Sequence, residues 1–375
     1  ILLILFIILL TMNKITDNKI IVGISGGVDS SVTAMLLKEQ GYEVEALFMK
    51  NWNDTTEDAA CLWETDVKDA MMVCDKLDIS LNTIDLSSDY WEKVFTNFLS
   101  EYKNGRTPNP DVLCNQEIKF KAFLEHAENL GAAKIATGHY ARIRQQADIF
   151  DLLKGLDQNK DQSYFLCRLN QTQLQKAMFP IGELDKVKVR LLAEQAGLIT
   201  HNKKDSTGIC FIGEQPFRQF LSRYIPPKRG HIKTTENTII GEHEGVYYYT
   251  LGQRQGLGIG GVTGTSDAPW YVVQKNIQEN ILIVAQDHDH PLLHSYSLTA
   301  SSINWISGEM PDIPYRCQAK NRYRQTDQSC IIEKIENDKC SVTFDLSQRA
   351  ITPGQFIVFY KKDVCLGGGI IDSVD

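Results

Sequence analysis

Nothing in this 375-residue sequence pairs two cysteines as C-x-x-C, although there are nine of them. A zinc ribbon and a thioredoxin-like pair are thereby excluded, and a cysteine-held iron–sulfur cluster is disfavoured. No apolar run approaches the roughly 20 residues that a membrane-spanning helix needs. The longest, ILLILFIILL at residues 1–10, stops at Thr11 and has neither the basic start nor the small-residue cleavage site of a secretory signal. MNKITDNKIIVGISGG, from Met12, reads as a natural beginning. Residues 1–11 are therefore expected to be an apolar leader outside the fold, with a short membrane or targeting segment as the alternative. An odd cysteine count without a secretion pattern points to reduced thiols in a cytoplasmic protein that engages no membrane. Positive charge is not in excess either: 39 Lys and Arg face 47 Asp and Glu, a formal net charge of −8. A nucleic-acid partner would have to meet a local basic face.

What is present is an ordinary globular composition, long enough for about two to three domains. KIIVGI (Lys19–Ile24) reads as a buried strand, and the helix after it ends at Gly41. YEVEALFMK and LNTIDL are further strands. Val67, Ala70, Met71, Cys74 and Leu77 fall at helical spacing, YWEKVFTNFLSEYKNG is a helix, and Ile118, Leu124 and Ala127 mark another. KIATGHYARI is expected as one strand leading into a polar end. Alternating strand and helix predict a parallel sheet covered on both faces. From about Thr200 long helices give way to short alternating runs such as GVYYYTLG, PWYVVQK and NILIVAQ. These predict one small β module and then a barrel.

SGGVDSS (Ser25–Ser31) lies between the first strand and the first helix. Glycines let the backbone approach a ligand, and a helix N-terminus offers free N–H groups to phosphate. Ser25, Ser30 and Ser31 are candidate donors, and Asp29 is a candidate Mg²⁺ ligand. No G-K-[ST] follows, so the loop brings no Walker lysine to the outer phosphates. The stretch resembles the PP-loop of the ATP pyrophosphatases, which implies AMP transfer to a substrate oxygen with release of pyrophosphate. That resemblance makes Gly23, Ile24, Ser25, Gly26, Gly27, Val28, Asp29 and Ser30 the ATP-binding loop and adds Met49 and Gly138. GLGIGG (Gly256–Gly261) fits G-x-G-x-x-G, but no helical pattern follows it, so a dinucleotide site is not expected.

An adenylated carbonyl needs a nucleophile to displace AMP. Cys114, in RTPNPDVLCNQEIKF, is placed just before a helix, where the dipole favours thiolate, and Asp111 is near enough to move protons. Cys210, in DSTGICFIG, sits in a glycine-flanked segment. Neither follows a core pattern, whereas Cys61, Cys74, Cys167, Cys317, Cys330, Cys340 and Cys365 mostly do. Two reactive thiols beside ATP activation suggest sulfur transfer from a persulfide, leaving a disulfide. A ligase acting on a small carbonyl, and a non-catalytic tRNA or nucleotide binder, are the rival readings.

The series GRTPNPDVLCNQEIKFKAFLEHA, ATGHYARI, LLKGLDQNKDQSYFL, DSTGICFIG, YYYTLGQRQGLGIGG, PWYVV, NRYRQ and PGQFIVFY…CLGGGII resembles the tRNA-specific 2-thiouridylases from about Lys19 to the C-terminus. The resemblance implies an α/β fold: an N-terminal Rossmann-like PP-loop ATPase domain over residues 12–220, a β-rich central domain over 221–288 and a C-terminal tRNA-binding β-barrel over 289–375. It implies ATP and Mg²⁺ as cofactors and the wobble uridine of the tRNAs for Lys, Glu and Gln as substrate. The sulfur donor would be a cysteine desulfurase or a relay protein. Cys114 matches the nucleophile, Cys210 the persulfide carrier and Asp111 the acid/base. Asn109, Pro110 and Asp111 match the segment around the flipped base. His139, Lys160, Asp161, Gln162, Arg322, Tyr323 and Gln355 match positions that touch tRNA. KNRYRQ, with Tyr323 between two arginines, suits backbone contact with base stacking.

Overall fold

The computed structural model describes residues 18–53, 57–205, 217–260 and 266–374, with 57–62 as backbone. The apolar leader lies outside the described residues. Strand β1 (Lys19–Ile24) buries five of its six residues, as a strand covered on both faces must. It pairs in parallel with β2 (Glu43–Lys50) on one side and β4 (Lys134–Ala136) on the other. With β3 (Leu81–Asp85) and β7 (Ala177–Met178) the sheet has the order β3-β2-β1-β4-β7, every pairing parallel. The order reverses at β1, so a crevice opens at the carboxyl ends of β1 and β4, where such sheets bind ligands. Helix α1 (Val28–Glu39) follows β1, and α2 (Glu57–Leu77) follows β2. A third helix runs from Ser87–Tyr90 through π-helical Trp91–Phe95 to Thr96–Lys103.

KIATGHYARI is two strands rather than one. Strand β4 stops at Ala136, and β5 (Ala141–Gln146) pairs antiparallel with β6 (Ile149–Lys154) in a different sheet. The break follows from Gly138, whose backbone turns against α1: a Cβ there would lie 2.8 Å from the Ser30 amide nitrogen.

The second half is β-rich as expected. Strands β8 (Gly230–Thr234), β9 (Ile239–His243), β10 (Trp270–Asn276) and β11 (Ile281–Gln286) form a small sheet in the order β10-β11-β8-β9. Six strands then close into a barrel: β12 (His294–Trp305), β13 (Tyr315–Lys320), β14 (Gln328–Glu336), β15 (Lys339–Arg349), β16 (Phe356–Lys361) and β17 (Val364–Val374). Closure comes from β12, which pairs with both β15 and β17. Leu298, Ile332, Val342, Phe344, Ile357 and Phe359 fill the interior together with Cys317, Cys330 and Cys340. Cys74, Cys167 and Cys365 are also buried, as their patterns predicted.

The α/β half and the barrel share a sheet, because β6 pairs with β17. Buried charges fasten this joint. Asp161 accepts from the amides of Gly155 (3.0 Å) and Ser163 (3.1 Å) and faces Lys320 at 3.5 Å. Lys154 pairs with Asp327, and Lys154 and Lys320 stand 4.5 and 5.1 Å from the Tyr360 ring centre. Ionic groups tolerate such burial only when paired in this way.

Candidate nucleotide and thiol site

The loop after β1 meets α1 at Gly27, whose cap position carries no side-chain hydrogen bond. Gly27 therefore offers the first-turn amides of α1 no side-chain acceptor of its own, the arrangement that suits phosphate oxygens. Gly26 has φ +70°, and a Cβ there would come within 2.3 Å of the Asp66 carbonyl, so no other residue fits. Of the three serines only Ser25 is exposed. Ser30 and Ser31 are buried, and their hydroxyls donate to the Gly27 carbonyl at 3.1 and 2.8 Å. In this arrangement they brace the turn. Met49 lies beside Gly23, and Gly138 abuts the Asp29–Ser30 backbone, so both flank the loop.

Asp29 does not face an empty site. Lys186 donates to both of its carboxylate oxygens at 2.8 Å, and the Tyr140 hydroxyl donates to one at 2.7 Å. Lys186 is buried at the first turn of a helix, Lys186–Gln195, capped by the Asp185 side chain. It also bridges to Asp205 at 2.8 Å, and Asp205 takes Lys160 (2.6 Å) and Arg190 (2.7 Å) as well. Burial alone would raise the Asp205 pKa; hydrogen bonds from Lys160 and Lys186 overcome that and hold it at about 2. Burial and then Asp29 push the Tyr140 hydroxyl far above its ordinary value, so it remains a donor. Lys160, Lys186 and Arg190 thus meet Asp29 and Asp205 in one cluster, and the Asp157 carboxylate accepts from the Lys186 backbone amide at 3.1 Å. The loop therefore does have a lysine, supplied 157 positions downstream. Nothing local in the sequence marks it. These groups fit a nucleoside triphosphate, with helix-start amides and the Lys186 ammonium at one edge. Among the described residues no set of three metal-ligating side chains forms a cage. A Mg²⁺ would share Asp29 with phosphate oxygens and water, as is usual for that ion.

Asn109 opens the helix that carries the first thiol. Its side chain accepts from the Asp111 amide at 3.2 Å, and Pro110 occupies the first helical position, where its fixed φ is favourable. The helix runs through Pro110–Leu113, a π-helical Cys114–Ala122 and Phe123–Asn129. Cys114 consequently sits in the second turn, not ahead of the helix, and it is fully buried beside Val112 and Ile118. Both points correct the sequence-based reading, which placed Cys114 just before a helix and saw no core pattern around it. Asp111 and Cys114 are three apart and share a helix face. Within the π-helical stretch the Phe120 carbonyl accepts from the Gln173 side-chain Nε2 at 2.8 Å. This helix leads back into β4, so its start lies at the carboxyl edge of the sheet, the edge that carries the phosphate loop. His139, next to Gly138, packs 5.9 Å from the Phe120 ring and joins the two features.

Residues expected to touch tRNA are found in several environments. Arg322 is exposed, and Tyr323 packs at a tilt, 4.4 Å from the Phe165 ring centre, with Arg324 over its ring. Lys160 is in the ion cluster. Asp161 is buried in the barrel joint described above. Gln162 accepts from the Tyr140 amide at 3.0 Å. His139 is buried, its Nδ1 is 2.7 Å from the Thr137 hydroxyl, and burial holds its pKa well below the usual value, so it is neutral. Gln355 donates to the carbonyls of Thr107 (2.8 Å) and Pro108 (3.3 Å), while the Thr107 amide donates to the Pro353 carbonyl at 2.9 Å. A barrel loop thus grips the turn that precedes Asn109. Gln355→Ala removes two of these bonds, each worth about 1 kcal/mol. It is expected to speed amide hydrogen exchange over residues 104–110 and to lower turnover about tenfold by misplacing the helix start, with ATP affinity unchanged.

Cys210 lies outside the described residues. The described residues that precede and follow it in the chain are held in place. Asp205 is held in the ion cluster, and Phe217 and Phe220 of the helix Phe217–Ser222 pack against Tyr102, Phe98, Phe95 and Trp52. Cys210 follows Asp205 by five positions in the sequence.

The family described as tRNA methyl transferase HUP domain matches residues 18–214. The tRNA methyl transferase PRC-barrel domain matches 218–286, and the aminomethyltransferase beta-barrel domain matches 295–371. A tRNA-specific 2-thiouridylase MnmA from Hydrogenovibrio crunogenus is 59% identical, covering 94% of this chain and 93% of its own length. One from Francisella tularensis subsp. holarctica is 55% identical over 95% of this chain and 99% of its own. A U34-tRNA thiolase, NcsA from Methanococcus maripaludis, is 18% identical and covers 55% of this chain and 63% of its own, with a TM-score of 0.34, a likeness too slight to argue from. With an ATP-type loop and a buried thiol at one sheet edge, and relatives this similar over nearly its whole length, the chain belongs to the tRNA-specific 2-thiouridylase family.

Proposed function

We propose that this chain is an ATP-dependent tRNA-uridine 2-sulfurtransferase acting on the wobble uridine of the tRNAs for Lys, Glu and Gln. The observation that supports the reading is the Asp29–Lys186–Asp205 chain, which ties the phosphate loop to a residue five positions before Cys210 in the sequence. ATP occupies the uncapped start of α1, with Lys186 and its neighbours offsetting phosphate charge and Mg²⁺ shared with Asp29. Uridine O2 attacks the α-phosphorus, pyrophosphate leaves, and C2 carries AMP as leaving group. A persulfide on Cys210 delivers its outer sulfur to C2 and AMP departs. The Cys114 thiolate then attacks the inner sulfur, so the product keeps one sulfur and a Cys114–Cys210 disulfide remains. An external thiol resets that disulfide, and a desulfurase or relay protein reloads Cys210. Asp111, one helical turn before Cys114, exchanges the protons. Anticodon-loop bases are the cheapest to extrude, which suits a buried nucleophile. Arg322 and Tyr323 supply backbone contact and stacking from the barrel. Methyl transfer, named in the family descriptions, leaves the ATP loop and the thiols without a role.

The test incubates the full chain with unmodified tRNA, ATP, Mg²⁺ and a persulfide-generating desulfurase, and counts nucleosides by mass spectrometry. One AMP per 2-thiouridine at the wobble position is expected. AMP formation that ignores tRNA would favour a ligase for a small carbonyl and overturn the assignment.

A further inference from the structure

Away from the thiol site, a cavity of about 280 Å³ opens where the α/β half, the small sheet and the barrel meet. Its walls are largely apolar, with Leu251, Val273, Ile277 and Pro353, and its charged groups are Lys275 and Arg106. We propose that this cavity binds a small organic monoanion, a carboxylate seated on the Lys275 ammonium with a short aliphatic body against Leu251, Val273, Ile277 and Pro353.

The two cations are not equivalent. Arg106 is already taken by Glu101 at 2.6 Å, Asp372 at 3.4 Å and the Ile371 carbonyl at 3.1 Å. Lys275 donates to the Tyr249 carbonyl at 2.9 Å, and among the described residues no carboxylate pairs with it. Burial pushes its pKa down to about 8, the mark of an ammonium that lacks a counter-charge. An ammonium has three donors, so two are left for a ligand. Glu101 and Asp372 already offset Arg106, so the pocket has charge for one negative group and repels a dianion. Apolar walls reward an aliphatic body more than a bare inorganic ion. The cavity touches Asn104 to Arg106, just before the turn held by Gln355, and Thr352 and Pro353 on the barrel loop that holds it. An anion bound there bridges all three modules. The inference stands apart from the thiolation reading.

Hexanoate is the probe. The full chain is acetylated with trace isotopic acetic anhydride, and each lysine is quantified by peptide mass spectrometry. At 10–50 mM hexanoate, roughly the range expected for a fragment-sized ligand, Lys275 acetylation should slow at least fivefold while exposed Lys362 is unchanged. Leu251→Trp fills the cavity and keeps the amine, so protection should vanish. Lys275→Gln should abolish the calorimetric heat of hexanoate binding. Unaltered labelling of Lys275, protection that survives Leu251→Trp, equal protection by inorganic phosphate, or protection by tRNA but not hexanoate would each overturn the proposal. If Lys275→Gln does not fold, the Leu251→Trp comparison decides alone.

Discussion

Cys114→Ser should stop tRNA thiolation, with a loss on the order of 10³-fold or more, and leave ATP binding within twofold of the parent. The substitution is close to isosteric at a fully buried position whose helix is fixed by Asn109 and Pro110, so the fold should survive it. What disappears is a sulfur able to become a thiolate and break a sulfur–sulfur bond; a hydroxyl cannot do this. Cys210→Ser should be equally inactive for a different reason, since it cannot carry a persulfide. The two variants separate in one measurement. After incubation with a desulfurase and labelled cysteine, Cys114→Ser should retain protein-bound sulfur on Cys210 and Cys210→Ser should retain none. Normal 2-thiouridine formation by either variant, followed by mass spectrometry of digested tRNA, would refute the two-thiol mechanism.

The contrast between the two thiols bears on how much of the site can be read from residues alone. SGGVDSS is legible because everything it does is local: glycines permit a tight turn, and the helix start follows at once. Parallel topology is legible from the strand and helix alternation before Thr200. The Asn109–Pro110 helix start could also have been read, since Asn and Pro are the residues that favour those two positions. It was obscured because two prolines so close together suggest a loop. Lys186 and Asp205 are a different case. They converge on Asp29 from 157 and 176 positions away, through a fold that no short window encodes. The β5–β6 hairpin is similar. Its alternation shows in ARIRQQADIFDLLK, but its addition to the barrel through β17 depends on a partner more than 200 residues later. Buried charges such as Asp161 and Lys320 read as surface residues in sequence, because only their pairing makes burial tolerable.

Lys186→Met should be the most damaging change outside the thiols. It removes the cation that Asp29 and Asp205 share. Breaking a buried pair costs about 3–5 kcal/mol when the remaining charge is stranded. Here Asp29 and Asp205 are 31% and 30% exposed, so the cost should fall to about 1–3 kcal/mol. A purely structural role would lower stability and leave the nucleotide constants of the folded fraction alone. A role in holding phosphate predicts weaker ATP binding and slower ATP–pyrophosphate exchange in the presence of tRNA, together on the order of 10²–10³-fold in kcat/KM. Lys186→Arg keeps the charge while altering its reach, so it should restore binding more than exchange. Should Lys186→Met fold, bind ATP and exchange pyrophosphate like the parent, the link between the phosphate loop and the Cys210 segment would be scaffolding only.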